Sequence, residues 1–269
     1  MTTIPQQQAH WLIFQNDALV VWRDSEGLPN DQDIVAIKPY LIRQFSLGLW
    51  NNVDYYCAEI DQGCSISEGL QTLPLRQALA ILQDETYSLG VKAHSVLTWD
   101  KNHRFCGRCG GHTAHQHKGF ERTCPECELS FFPRISPSII VLIKKGDHLL
   151  MARSPHFLPG VYGLIAGFVE PGERLEETVH REVLEEVGIQ IKNLVYACSQ
   201  PWPFPDSLMI AFTADYAGGE IVIDDDEIEA AGWYKYDDLP GRPSVATSVA
   251  AKLIDAFVAS FEHHEADVI

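Results

Sequence analysis

The sequence predicts an α+β protein in three parts: a small N-terminal α+β domain, a four-cysteine zinc ribbon, and a C-terminal α/β/α sandwich on a mixed sheet. Three observations carry that expectation. Short strand-like runs separated by turn residues fill the first 97 residues. Two C-x-x-C knuckles follow, Cys106-Gly-Arg-Cys109 and Cys124-Pro-Glu-Cys127, with fourteen residues between them. Beyond them, apolar strands flank one amphipathic helix and precede another, the pattern of a sheet covered on both faces. The expected domains are 1–97, 98–134 and 135–269.

Composition agrees with a protein of this kind. At 269 residues the chain has room for two domains of roughly 150 residues each. Hydrophobic residues make up 46% and charged residues 21%, an ordinary balance for burying a core. No apolar run approaches the roughly 18 residues of a membrane span. The start, MTTIPQQQAHW, has no basic region followed by an apolar core, so a cytoplasmic protein that does not engage membranes is expected. A net charge of −17 argues against general nucleic-acid binding, which rests on Lys and Arg meeting phosphates. Between Lys101 and Arg134, however, six basic residues face three acidic ones, a net +3 that leaves −20 elsewhere. That window is either a mixed surface or a local patch for an anionic ligand.

In the first domain, Trp11–Phe14, Leu19–Trp22 and Tyr55–Ile60 read as strands, with Gly27-Leu-Pro-Asn30 as a turn between them. Leu75–Leu82 reads as a helix with Pro74 at its start. Its Trp and Tyr residues are expected in the core. Cys57, Cys64 and Cys198 have no matching partners at metal-ligand spacing and are expected as buried thiols.

Seven cysteines in a cytosolic chain point to metal ligands or core residues before disulfides. Four thiolates at the knuckle spacing, Cys106, Cys109, Cys124 and Cys127, suit a tetrahedral Zn²⁺. Such a closed site leaves no open coordination position, so the zinc is structural. Gly107, Gly110 and Gly111 permit the turns around the sulfurs. His103, His112, His115 and His117 are expected on the surface, because the cysteines already complete the ligand set.

The C-terminal third opens with the continuous apolar strand Ser138–Ile143 and its hairpin partner His148–Ala152. Further strands are expected at Leu194–Cys198, Ser207–Tyr216 and Gly232–Tyr234. A last helix from about Ser248 to Phe261 carries Val249, Leu253, Phe257 and Phe261 at four-residue intervals. The organising stretch is GFVEPGERLEETVHREVLEEVGI, residues 167–189. Leu175, Val179, Val183 and Val187 stand four apart on one helix face, and Gly188 falls where a helix ends in the left-handed conformation. Glu182, Glu185 and Glu186 stand at i, i+3 and i+4. Like charges so placed destabilise an isolated helix by roughly 0.2–0.5 kcal/mol per pair, and a hard divalent cation such as Mg²⁺ or Mn²⁺ relieves them.

The spacing Gly167, five residues, Glu173, seven residues, Arg181-Glu182, two residues, Glu185-Glu186, one residue, Gly188 resembles the Nudix box. The segment Ser199-Gln-Pro-Trp-Pro-Phe-Pro-Asp-Ser207 resembles the SQPWPFPxS signature of NudC-type NADH pyrophosphatases. The four cysteines with Ala93, Leu97, Trp99, His103 and Phe105, and the run Phe131–Pro137, are similar to the same family. This likeness covers residues 90–260 well and the N-terminal domain loosely; residues 112–119 do not align with a pattern of the family, so no ligand contact is carried over from that stretch. It implies hydrolysis of the pyrophosphate of NAD(H) and of NAD-capped RNA by a homodimer. It also implies that Glu182 and Glu186 bind the catalytic metal, that Glu185 assists, and that Glu186 activates water. The carbonyl of Ala166 matches a further metal ligand. Glu227 matches a distant one and a substrate contact, with Glu229 and Asp226 as competitors in the same acidic run. Phe132 matches a nicotinamide-side aromatic. Gln200, Pro201, Trp202, Pro203, Phe204, Pro205, Asp206, Ser207 and Ala250 match substrate contacts. Because proline cannot donate to a β-ladder, 199–207 is expected as a stiff loop presenting Trp202 and Phe204. Arg181 is expected to hold the glutamates rather than touch substrate. A Nudix enzyme for another dinucleotide, such as ADP-ribose or a diadenosine polyphosphate, is the competing expectation. A non-catalytic NAD sensor, which would be expected to lack box glutamates, is a second.

Overall fold

A computed structural model describes residues 9–25, 27–82, 84–116, 119–242 and 248–266, with the side chains of 84 and 263–266 excepted. His117 and Lys118, weighed above as a surface histidine and as part of the basic window, lie outside them. The chain divides into two compact units, 1–134 and 135–269. No helix among the described residues is long and apolar enough to cross a membrane.

The first unit is built on strands β1 (His10–Gln15), β2 (Ala18–Trp22), β3 (Leu41–Trp50), β4 (Val53–Ile60) and β5 (Leu70–Pro74) in the order β3-β4-β1-β2-β5. Only β1 and β4 run parallel. Alternation along β1 sends Trp11 and Ile13 into a core with Val20, Ile34, Ala58 and Leu70. Helix α1 (Leu75–Ile81) and helix α2 (Asp84–Asn102) pack on strands of this sheet, and the backbone at Gly90 comes close to Leu79, Leu82 and Leu12.

Helix α2 is a finding the sequence did not announce, and it runs through the expected boundary at 97/98. Tyr87, Leu89, Val91, Ala93, Val96, Leu97, Trp99 and Asp100 are all buried. A helix buried nearly all round shows no clean one-sided stripe to read. β3 and β5 are likewise unannounced, and Cys57 and Cys64 are buried as expected whereas Cys198 is only half-buried. The aromatics divide: Trp11 is in the core, while Tyr40 and Trp50 are exposed.

The ribbon adds a three-stranded antiparallel sheet of β6 (Ala114–His115), β7 (Arg122–Thr123) and β8 (Ser130–Phe131). Arg122, counted in the basic window, is buried: it pairs with Asp100 of α2, which also binds Arg43 of β3 at 3.1 Å. That arginine ties the ribbon to the N-terminal sheet and offers no charge to a ligand.

The second unit has a six-stranded mixed sheet. Its strands are β9 (Ser136–Lys145), β10 (His148–Arg153), β11 (Ile165–Phe168), β12 (Gln190–Trp202), β13 (Ser207–Gly218) and β14 (Ala230–Lys235). The order is β12-β13-β9-β10-β14, with β11 also on β9 and β13 parallel to β9. Alternation explains the continuous apolar run of β9. Ile139, Val141 and Ile143 face helix α3 (Leu175–Val187), together with Leu150, Val179, Val183 and Val187. Ile140 and Leu142 face helix α4 (Val249–Ala266), together with Leu149, Met151, Val249, Leu253 and Phe257. Each of the three α3 valines is fully buried, which stabilises the layer by about 1.5–3 kcal/mol per side chain. The α/β/α sandwich is therefore present.

One expectation needs correction. Residues 199–202 are not loop but the end of β12, with Gln200 opposite Met209 and Trp202 opposite Ser207. The proline argument holds only for central strands, and β12 is the sheet edge, where a proline is tolerated. The turn itself is confined to residues 203–206.

Candidate active site

The site grows from the two ends of α3. At its start, Arg174 N–H donates to Glu177 (2.9 Å), and the Glu173 carboxylate accepts from the Glu170 amide (3.0 Å) and the Thr178 hydroxyl (2.9 Å). At its end, Gly188 takes φ +70° and its N–H reaches the Leu184 carbonyl at 3.0 Å. Here glycine avoids the clash that a Cβ suffers in the left-handed region.

Arg181 lies across the first turns as a clamp. Its Nε donates to Glu173 (2.6 Å), one terminal nitrogen to Glu182 (2.9 Å) and Glu185 (3.0 Å), and the other to Glu173 (2.9 Å) and the Phe168 carbonyl (3.0 Å). All five guanidinium donors are thus engaged within the box. The hydrogen bonds from Arg181 hold the Glu173 carboxyl down at about 2. Arg181 positions carboxylates, as the sequence led us to expect.

Glu182 and Glu186, one turn apart, are buried to 8% and 7% exposure, whereas Glu185 faces solvent. Gly167 makes this possible: a Cβ there would lie 2.0 Å from the Glu182 carboxyl carbon. Burial raises Glu182 above the ordinary carboxylate range. Burial first, then the charges of Glu182, Glu227 and Asp224, push Glu186 up to about 8. Glu227 arrives on a loop fastened to the helix end, where the Asp224 amide donates to the Glu186 carbonyl (3.1 Å) and the Glu227 amide to the Asp224 carbonyl (3.1 Å).

These groups line one cavity of about 900 Å³, together with Ala166, Asp226 and Phe168. Of the three acidic competitors, Glu227 and Asp226 face the cavity, and Glu229 is ion-paired with Arg153. Two buried carboxylates with like charges around them and only one arginine beside them suit a hard divalent cation. Glu182, Glu186, Glu227 and Ala166, expected from the sequence to hold it, all line this cavity.

The remaining expected contacts lie apart from that lining. Gln200 accepts the Val249 amide at 2.7 Å and so caps α4, one residue before half-buried Ala250. Pro201, Trp202, Pro203, Phe204, Pro205, Asp206 and Ser207 follow along the β12–β13 hairpin, with Trp202 and Phe204 edge to face at 5.4 Å and Pro203 and Ser207 buried. Phe132 belongs to the first unit and is exposed. The sequence gave no warning of the wall formed by Ser154, His156 and Phe157, because the turn after β10 carries no periodic pattern. Phe168 sits inside the box itself and was missed only because apolar box positions read as core; half of it is exposed.

In the ribbon, the four cysteine sulfurs lie within 4.8 Å of one another, with Cys106 and Cys127 at 3.5 Å and Cys109 and Cys124 at 3.4 Å. Tetrahedral bonds of about 2.3 Å place thiolates about 3.8 Å apart, so the set fits Zn²⁺. No described histidine belongs to the cluster. His103 bonds the Trp99 carbonyl, His112 lies against Phe105, and His115 binds Asp100.

The NUDIX domain family matches residues 133–257, the NADH pyrophosphatase zinc ribbon domain 101–132, and the NADH pyrophosphatase-like rudimentary NUDIX domain 8–99. Among solved structures, a NUDIX hydrolase from Nitrosomonas europaea superposes with a TM-score of 0.50 at 17% identity, over 60% of this chain and 93% of that one, and shares the fold. The fold and the box glutamates define a Nudix hydrolase. An NAD-capped RNA hydrolase NudC from Chromobacterium violaceum is 42% identical over 93% of this chain and 94% of its own. Another from Pseudomonas aeruginosa is 44% identical over 81% and 78%. The chain belongs to the NudC family of Nudix hydrolases.

Proposed function

We propose that this chain hydrolyses the pyrophosphate of NAD(H) to NMN(H) and AMP, and removes NAD caps from RNA to leave NMN and a 5′-monophosphate. The observation that carries the reaction type is the pair Glu182 and Glu186, buried side by side in an open cavity with Glu227 facing them. The substrate class is supported by the family matches over all three parts of the chain, by the names of the relatives, and by the residues at 199–207.

Glu182, Glu186 and Glu227 would hold Mg²⁺ or Mn²⁺, which would supply positive charge against the diphosphate and make nearby water more acidic. The protein's own part is positional and basic. Arg181 fixes the rotamers of Glu173, Glu182 and Glu185. Glu186 takes the proton of the attacking water as its oxygen bonds to phosphorus and the bridging P–O bond breaks. Gly167 keeps the space in which the Glu182 carboxylate lies. Glu185, exposed and hydrogen-bonded to Arg181, steadies that clamp. We assign the residues from Gln200 to Ser207, with Phe132 and Ala250, to substrate contact and the active assembly to a homodimer.

The deciding experiment compares hydrolysis of NADH, NAD-capped RNA and ADP-ribose by the wild type and Glu186→Gln, in Mg²⁺ and in Mn²⁺. NMN(H) release from the first two that exceeds ADP-ribose turnover, and is lost in the variant, establishes the reading. Binding of NAD without cleavage of any of them overturns it.

A further inference from the structure

The cavity holds a problem that the box does not solve. A diphosphate is an anion, yet the ionisable side chains of the wall are nearly all carboxylates, and the donors of Arg181 are all engaged by Glu173, Glu182, Glu185 and the Phe168 carbonyl. Among the described residues lining the cavity, the other polar side chains with a proton to donate are Ser154 and His156, both on the turn after β10. That turn is shaped to present the histidine. The Ser154 hydroxyl accepts the His156 amide (3.4 Å), and the Ser154 carbonyl accepts the Phe157 amide (3.0 Å). Arg153 donates to the Phe157 carbonyl at 3.2 Å and is held in turn by Glu229. The Phe157 ring packs on the bare backbone of Gly163, where a Cβ would come within 3.0 Å of it. Backbone and neighbours are therefore tied down, while the His156 ring stays exposed with no partner among the described residues.

We propose that His156 is a substrate-binding residue that donates a hydrogen bond to a phosphate oxygen of the bound dinucleotide. The inference rests on the pyrophosphatase reading above, and it extends the site to an element outside the box. A contact made equally to substrate and transition state changes KM and leaves kcat in place.

The test uses the full chain with Mg²⁺ and compares His156→Ala, His156→Gln and His156→Arg. For NADH, His156→Ala is expected to raise KM about tenfold, the size of one lost hydrogen bond to a charged group, with kcat within about twofold. His156→Arg restores KM, and His156→Gln falls between them. Inorganic pyrophosphate, used as a competitive inhibitor, should lose affinity in the same order, because it carries the phosphates without the bases. An unchanged KM in His156→Ala overturns the proposal. So does a raised KM with unchanged pyrophosphate inhibition, which would place the ring against a base. If the wild type hydrolyses no dinucleotide, the parent reading fails on its own. Pyrophosphate binding, followed by calorimetry, then still decides whether His156 meets phosphate.

Discussion

Two clusters of buried charge, one in each unit, are built on opposite plans. In the first, Asp100 is ion-paired with Arg43 and Arg122 and lies beside the His115 ring, so a buried carboxylate meets its counter-charges within the fold. In the second, Glu182 and Glu186 are buried to the same depth, but their neighbours are Glu227, Asp224 and one arginine shared among three glutamates. A charge compensated internally holds parts of a chain together. A charge left uncompensated favours a cation from outside, which relieves the cost of burying it. The first cluster joins sheet, helix and ribbon; the second is a site.

The comparison breaks most sharply at Glu186. Glu186→Gln is expected to lose about 10²- to 10⁴-fold in kcat, measured as AMP release from NADH. The same substitution should stabilise the protein when no magnesium or manganese is added. The folded carboxyl titrates at about 8 against an ordinary 4.5, so between those values the folded chain keeps a proton that the unfolded chain has lost. Stability of the cation-free protein therefore falls as pH rises through that window and levels off above it. Glu186→Gln should flatten that fall and raise the melting temperature at pH 9 by at least about 4 °C. A variant less stable than wild type there would mean that Glu186 is compensated after all.

Asp100→Ala tests the other plan. It leaves the buried Arg122 without its carboxylate, while half-buried Arg43 keeps Glu59 at 2.8 Å, and a loss of about 3–5 kcal/mol is expected in urea unfolding of the first unit. An effect below about 1 kcal/mol would place this cluster with weak surface pairs. Gly167→Ala sharpens how the second cluster is seated. The added methyl meets the Glu182 carboxyl, and a displacement of about 1 Å there should cost on the order of a hundredfold in kcat/KM, with a higher Mg²⁺ requirement. Smallest is Gly188→Ala, where φ +70° and the side chain of Val222 at 3.1 Å disfavour a Cβ. A loss of about 1–2 kcal/mol in thermal or urea unfolding is expected, with kcat unchanged.

Legibility in the sequence followed the range of the interactions. Helix α3, its glycine end, the zinc knuckles and the two-faced strand β9 were readable because each is set by residues within a few positions of one another. Helix α2 was not, since the surfaces that bury Leu89, Val96 and Trp99 come from distant parts of the chain. The end of β12 was misread as loop because only the strand order shows that Pro201 lies on an edge. Cys198 was taken for a buried thiol and is half-exposed, which a residue on that edge strand allows.

By itself the sequence placed Arg181, Glu182, Glu185 and Glu186 at fixed helical offsets behind Gly167, and the resemblance of that spacing to the Nudix box implied the reaction type. Tertiary structure alone decided how the acidic run divides. It turned Glu227 into the cavity, paired Glu229 with Arg153, and buried Arg122 against Asp100. Spacing along the chain fixes which side chains share a face, but desolvation and counter-charge depend on what the rest of the fold brings against that face.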